Sequence, residues 1–120
     1  MKSYEKENII LKKTFEFSLL IISFSELLES QRKYVISKQI LRSGTSIGAN
    51  VKEAQNAESK KDFIHKMKIA AKEAEEMEYW IELCNHAESY PSNQKLLNEL
   101  KEIQKVLTKI IGTSKKSLAN

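Results

Sequence analysis

The sequence is short of the residues that bend a chain or staple it. It holds one proline, three glycines and one cysteine in 120 residues. With Pro91 as the only proline, long unbroken helices are permitted and a turn-rich β fold is disfavoured. The lone Cys84 excludes an intrachain disulfide and makes a reducing cytoplasm the natural compartment. No apolar run reaches the ~20 residues that a membrane-spanning helix needs. The greasiest stretch, FSLLIISF at 17–24, follows Lys12 and Lys13 but is flanked by Glu16 and Glu26. It has no small-residue cleavage site behind it, so it reads as a buried helix rather than a signal sequence. Charge of a single sign is missing too. Twenty Lys and Arg interleave with 16 Asp and Glu, and the net +4 permits contact with nucleic acid without demanding it.

What the chain does have is apolar residues at helical spacing. Its length is that of one domain, taken as residues 1–120, with no repeat or linker inside it. A first helix is expected from Tyr4 to Gln31, with Ile10, Thr14, Phe17, Ile21, Phe24 and Leu28 on one stripe. Leu11, Phe15, Leu19 and Ile22 form a second stripe on the opposite side, more than a bundle helix needs to bury. The short connector SQRKY leads into a second helix over 35–57. Ser59, with Asp62 three residues later, has the spacing of a helix cap. The third helix then carries a seam of Phe63, Met67, Ala70, Ala74, Met77, Ile81 and Cys84, with Ile69, Tyr79, Trp80 and Leu83 on another side. SYPSN breaks the chain before a fourth helix over 92–111, for which Gly112 is a suitable terminator. The tail from about 113 is too polar to pack and is expected to fray. The fold expected is all-α, an up-down-up-down antiparallel four-helix bundle.

Sites of chemistry are hard to assemble from these residues. A dimetal bundle needs two inward Glu-x-x-His pairs, yet only His65 and His86 are present, preceded at that spacing by Asp62 and Leu83. Glu73, Glu75, Glu76, Glu78 and Glu82 point around most of their helix, and Lys66, Lys68 and Lys72 stand near them for ordinary pairing. Cys84 sits on the apolar seam as a small hydrophobe. Neither an enzyme nor a bound cofactor is expected.

The second helix is the odd one. ILRSGTSIGANVKEA, residues 40–54, packs poor helix formers into the middle of a helix. Ile36, Ile40, Ile47, Val51 and Ala54 make its core stripe, and Gly44 and Gly48 share one shoulder with Leu41. Each interior glycine costs about 1 kcal/mol against alanine, and close approach of another helix would account for the pair. The other shoulder is a polar ladder of Gln39, Arg42, Ser43, Ser46, Asn50 and Glu53. Arg42 and Glu53 are about 16 Å apart along the axis, so their partners must lie on another helix or another copy. Glu76 is the best candidate.

RSGTSIGANVKEA, followed by SKKDFIHKMKIAAKEAEEMEYWIEL, closely resembles the bacterial four helix bundle protein family. That family is also called the 23S rRNA intervening-sequence protein family, and the accessory variability determinants of diversity-generating retroelements belong to it. The resemblance spans roughly residues 10–110. Arg42, Ser46, Ile47, Asn50, Val51 and Glu53 match an R-x-x-x-S-I-x-x-N-[IV]-x-E signature. Lys61, Asp62 and Phe63, then Ala70, Glu76, Tyr79 and Trp80, match the third helix. Gly48, Lys52 and Ala54 depart from the Pro, Ala and Gly of many members, which puts the chain in a different branch from the accessory determinants.

The resemblance implies a homo-oligomer, since relatives form ring-shaped pentamers, and implies no established enzymatic activity. For the accessory determinants it implies binding of nucleic acid and a reverse transcriptase. Two function classes follow. One is an oligomeric binder of RNA or DNA, with Arg42, Lys52, Lys60 and Lys61 as candidate contacts. The other is a homo-oligomeric scaffold whose target is another protein. Neither involves a membrane.

Overall fold

The chain forms four helices, α1 (Ser3–Ser30), α2 (Tyr34–Ala54), α3 (Lys60–His86) and α4 (Gln94–Ala119). They are seen in a computed structural model that describes the backbone of residues 3–119 and the side chains of residues 9–119. Each helix packs on its neighbours in sequence and α4 closes the ring against α1, giving an all-α four-helix bundle of 51 × 21 × 20 Å.

Local chemistry sets the ends. Ser59 Oγ accepts the Asp62 backbone N–H at 3.0 Å and starts α3, and Asn93 Oδ1 does the same for Leu96 at 3.0 Å before α4. Both satisfy amides that a helix start leaves free. α1 ends in a Schellman turn, with Lys33 N–H on Leu28 O at 2.8 Å and Arg32 N–H on Glu29 O at 2.9 Å. The turn needs a left-handed residue, and Arg32 takes that place with φ 62°.

The core is filled by the expected stripes of α1 and α2, with Ile10, Phe17, Ile21 and Leu28 meeting Ile40, Ile47 and Val51. From α3 come Met67, Ala70, Ala74, Met77, Ile81 and Cys84, and from α4 Leu96, Leu100, Ile103, Leu107 and Ile110. Ile64 is buried in α3 where Phe63 was expected, and Phe63 packs partly exposed at the edge.

Two expected boundaries move. α2 ends at Ala54 rather than Ala57, unwinding through turns at Gln55, Asn56 and Ala57. α4 does not stop at Gly112, nor does the helix fray from 113. It runs on to Ala119, and Gly112 has no positive φ. The tail has neighbours that its composition concealed, because Lys60 Nζ donates to Ser117 Oγ. Thr113, Ser114 and Ser117 also line a groove against the α2–α3 connection.

The glycines of α2 lie on α1. A Cβ at Gly44 would come within 2.8 Å of Ile21 Cγ1, and one at Gly48 within 3.3 Å of the Thr14 carbonyl oxygen. Two turns before Gly44, towards the other end of the seam, the buried Ser25 and Ser37 place their hydroxyls 2.6 Å apart, and Ser37 Oγ donates to the Ser25 carbonyl at 2.9 Å. Small residues thus run along the whole α1–α2 contact. By contrast, nothing lies within 4 Å of a Cβ built at Gly112.

The two glycine sites should respond oppositely. Gly44→Leu is expected to lose about 1–3 kcal/mol through overpacking, in spite of a better helix former. Gly112→Ala should gain up to about 1 kcal/mol. Urea denaturation at fixed protein concentration measures both, and a more stable Gly44→Leu would refute close packing.

Arg32→Gly should stabilise by about 0.5–1 kcal/mol, because relief of left-handed strain outweighs the added freedom of the unfolded chain. An unchanged or lowered melting temperature would count against the turn described here.

Candidate functional site

The polar ladder of α2 lies along the groove with α3. Arg42 reaches across it, its Nη2 2.6 Å from Glu76 Oε1 and its Nη1 3.3 Å from Glu73 Oε2. The hydrogen bond from Arg42 holds the Glu76 carboxyl below its ordinary value and outweighs the cost of partial desolvation. Further along, Glu53 stands 3.8 Å from Lys66. Asn50 stays within its own helix, its Nδ2 donating to the Ser46 carbonyl at 2.8 Å. Ser43 is buried and donates to the Gln39 carbonyl at 2.8 Å. Ile47 and Val51 are fully buried beside the ladder.

Trp80 packs against the core, and its ring meets Tyr79 edge to face at 5.4 Å between centroids. The indole N–H adds a weaker pull on Glu76, but Nε1 completes no hydrogen bond among the described residues. Tyr79 and Leu83 are exposed next to it. The ladder is therefore a set of paired charges and capped hydroxyls joining two helices, with an aromatic corner at one end.

The four candidate nucleic-acid contacts do not form one patch. Arg42 is neutralised by its two carboxylates. Lys52 borders a small groove between α1 and α2, beside Phe15 and Gly48. Lys60 is turned to Ser117 on α4. Of the four, Lys61 alone joins other lysines without an ion pair among the described residues, Lys68 and Lys115, in an open groove that His65 also lines. There the Lys115 amine lies against Lys68 and pulls the Lys68 pKa below the usual ammonium value. Sequence reasoning did not place Lys68 and Lys115 beside Lys61. The stripe of Lys61, His65, Lys68 and Lys72 is legible at helical spacing, but Lys115 lay in the tail expected to fray.

Cys84 is 1% exposed, and burial pushes its thiol up to about 11. It is protonated at neutral pH and packs as a hydrophobe. Among the described residues, no three His, Cys, Asp or Glu side chains stand together as metal ligands, and no helix is long and apolar enough to cross a membrane.

The family model for the 23S rRNA-intervening sequence protein matches residues 6–109. The chain belongs to that family. A crystal structure of a protein of unknown function from the S23 ribosomal protein family of Bacteroides thetaiotaomicron VPI-5482 has the same fold. It is 46% identical, covers 89% of this chain and 98% of its own, and superposes with a TM-score of 0.84. Among curated proteins, none matches the chain.

Within the chain, the residues of the signature divide by position. Ile47 and Val51 enter the core, Asn50 ties to Ser46 within α2, and Arg42 and Glu53 pair with charges on α3. The motif thus serves the core, α2 itself and the α2–α3 contact rather than offering free groups to a ligand.

The ion pair carries a pH signature. Glu76 ionises below its ordinary 4.5 in the folded state, so its contribution is present above that value and is lost as pH falls through the folded pKa. Glu76→Gln should melt slightly lower than the parent at neutral pH, the small size reflecting a half-exposed pair. The deficit should close in acid. A deficit that persists at the lowest pH at which both proteins fold would show that the Arg42 pair is not its source.

Proposed function

We propose that the chain is a non-enzymatic, cytoplasmic homo-oligomer that binds RNA or DNA. The observation that carries the assembly is the outer face of α1, where Phe15, Leu19 and Ile22 stand 66%, 51% and 43% exposed. Three large apolar side chains on one helix face are what a buried interface looks like when its partner is absent, and in a closed ring that face meets a different face of the next copy. Five copies is the count that membership of the family favours. Nucleic acid is supported by the net +4 of the chain and by lysines on α3 and α4 that have no carboxylate beside them among the described residues, Lys68 and Lys115 first among them. A protein partner is the second reading, favoured by exposed Tyr79 and Leu83 on α3.

Light scattering after size exclusion should return a mass near five times the 13.8 kDa protomer, and Leu19→Asp should reduce it without loss of helix. A parent protein that is monomeric at every concentration would overturn the assembly. Binding of labelled RNA or DNA that weakens steeply with salt supports the first reading, since phosphate contacts release counterions. Salt-insensitive capture of one protein, without nucleic acid, supports the second.

A further inference from the structure

The open groove between the start of α3 and the end of α4 gathers lysines that form no ion pair among the described residues. Lys61, His65 and Lys68 come from successive turns of α3, and Lys115 faces them from α4. Among the described residues, the only carboxylate lining this groove is Asp62, which is occupied at the helix start, its Oδ2 accepting the Glu58 backbone N–H at 3.2 Å. Lys101, by comparison, is held by Glu78 at 2.9 Å further along the same helix pair. Two ammonium groups in contact with no anion between them repel each other, and a bound anion removes that penalty. The groove has a volume of about 660 Å³, more than one phosphate group fills. Its floor and rim include Ile64 and Leu118.

We propose that this groove seats the phosphodiester backbone of a nucleic acid, with Lys61, Lys68 and Lys115 as the phosphate contacts. The assignment rests on the nucleic-acid reading above and gives it a place. It carries no sequence preference, because contacts of this kind position a strand without reading it. The groove lies on the α3–α4 side of the bundle, opposite the α1–α2 side that bears Phe15 and Gly48. The apolar α1 face and the groove are thus separate surfaces of the protomer.

The test is fluorescence anisotropy with a labelled single-stranded RNA and a DNA duplex, each of mixed sequence, over a salt series. The parent is compared with Lys68→Gln/Lys115→Gln and with a control, Lys38→Gln/Lys95→Gln, which removes the same charge from exposed sites elsewhere. The groove variant should lose about tenfold or more in affinity at low salt. Its log–log salt slope should flatten by about 1.4 for RNA and about 1.8 for the duplex, the loss expected for two phosphate contacts. The control should keep both. Circular dichroism and light scattering identical to the parent establish that each variant is folded and assembled. Equal losses in the two variants, or a groove variant that binds like the parent, would overturn the groove while leaving nucleic-acid binding intact. A parent that binds neither probe would overturn both.

Discussion

The close contact of α1 with α2 is the constraint on which the rest of the bundle depends. Ser25 and Ser37 exchange hydroxyl contacts in the core, Ile21 fills the space that Gly44 leaves, and Gly48 rests on the backbone of Thr14. A bulky residue at any of these points would push the axes apart. The seam also fixes the rotation of α2. With its glycine shoulder turned to α1, Ile40, Ile47 and Val51 must face the centre, and Arg42 and Glu53 must face α3. Poor helix formers in mid-helix are thus the local cost of close packing, offset by dispersion contacts and by hydroxyls that find partners inside the seam.

From that rotation follow two unlike faces. The α1–α2 side keeps large apolar residues in solvent, whereas the α3–α4 side gathers lysines. An apolar face can be covered with little directional demand, while a lysine groove stays wet and attracts anions at range. The α2–α3 side between them holds most of the family signature, and its charges are already matched to one another. This separation means that the most recognisable residues of the chain are mainly fold determinants, and that the groups free to meet a ligand lie elsewhere.

Much of the fold was legible because it is written locally. The seven-residue spacing from Ile40 to Ile47, the four-residue step to Val51, and the cap at Ser59 require only helix geometry. The end of α4 was not legible, since Gly112 suits a helix terminus and a helix interior alike and the choice depends on what the following turn touches. The Ser25–Ser37 pair gave no signal either, because two serines twelve residues apart meet only when the register of α1 and α2 is known. Arg32 in the left-handed region is a similar case, a turn requirement met by a residue that does not advertise it.

The candidate site divides in the same way. That Arg42 must find its partner beyond its own helix followed from a rise of about 1.5 Å per residue. That it takes both Glu73 and Glu76 was decided by how α3 is rotated against α2. The sequence by itself determined four amphipathic helices, their order and the residues each would bury, because the hydrophobic effect acts on periodicity within a helix. Only the tertiary structure decided which lysines are paired and which are free. Charges on different helices meet through space, and their separation depends on rotation and register that no single helix contains.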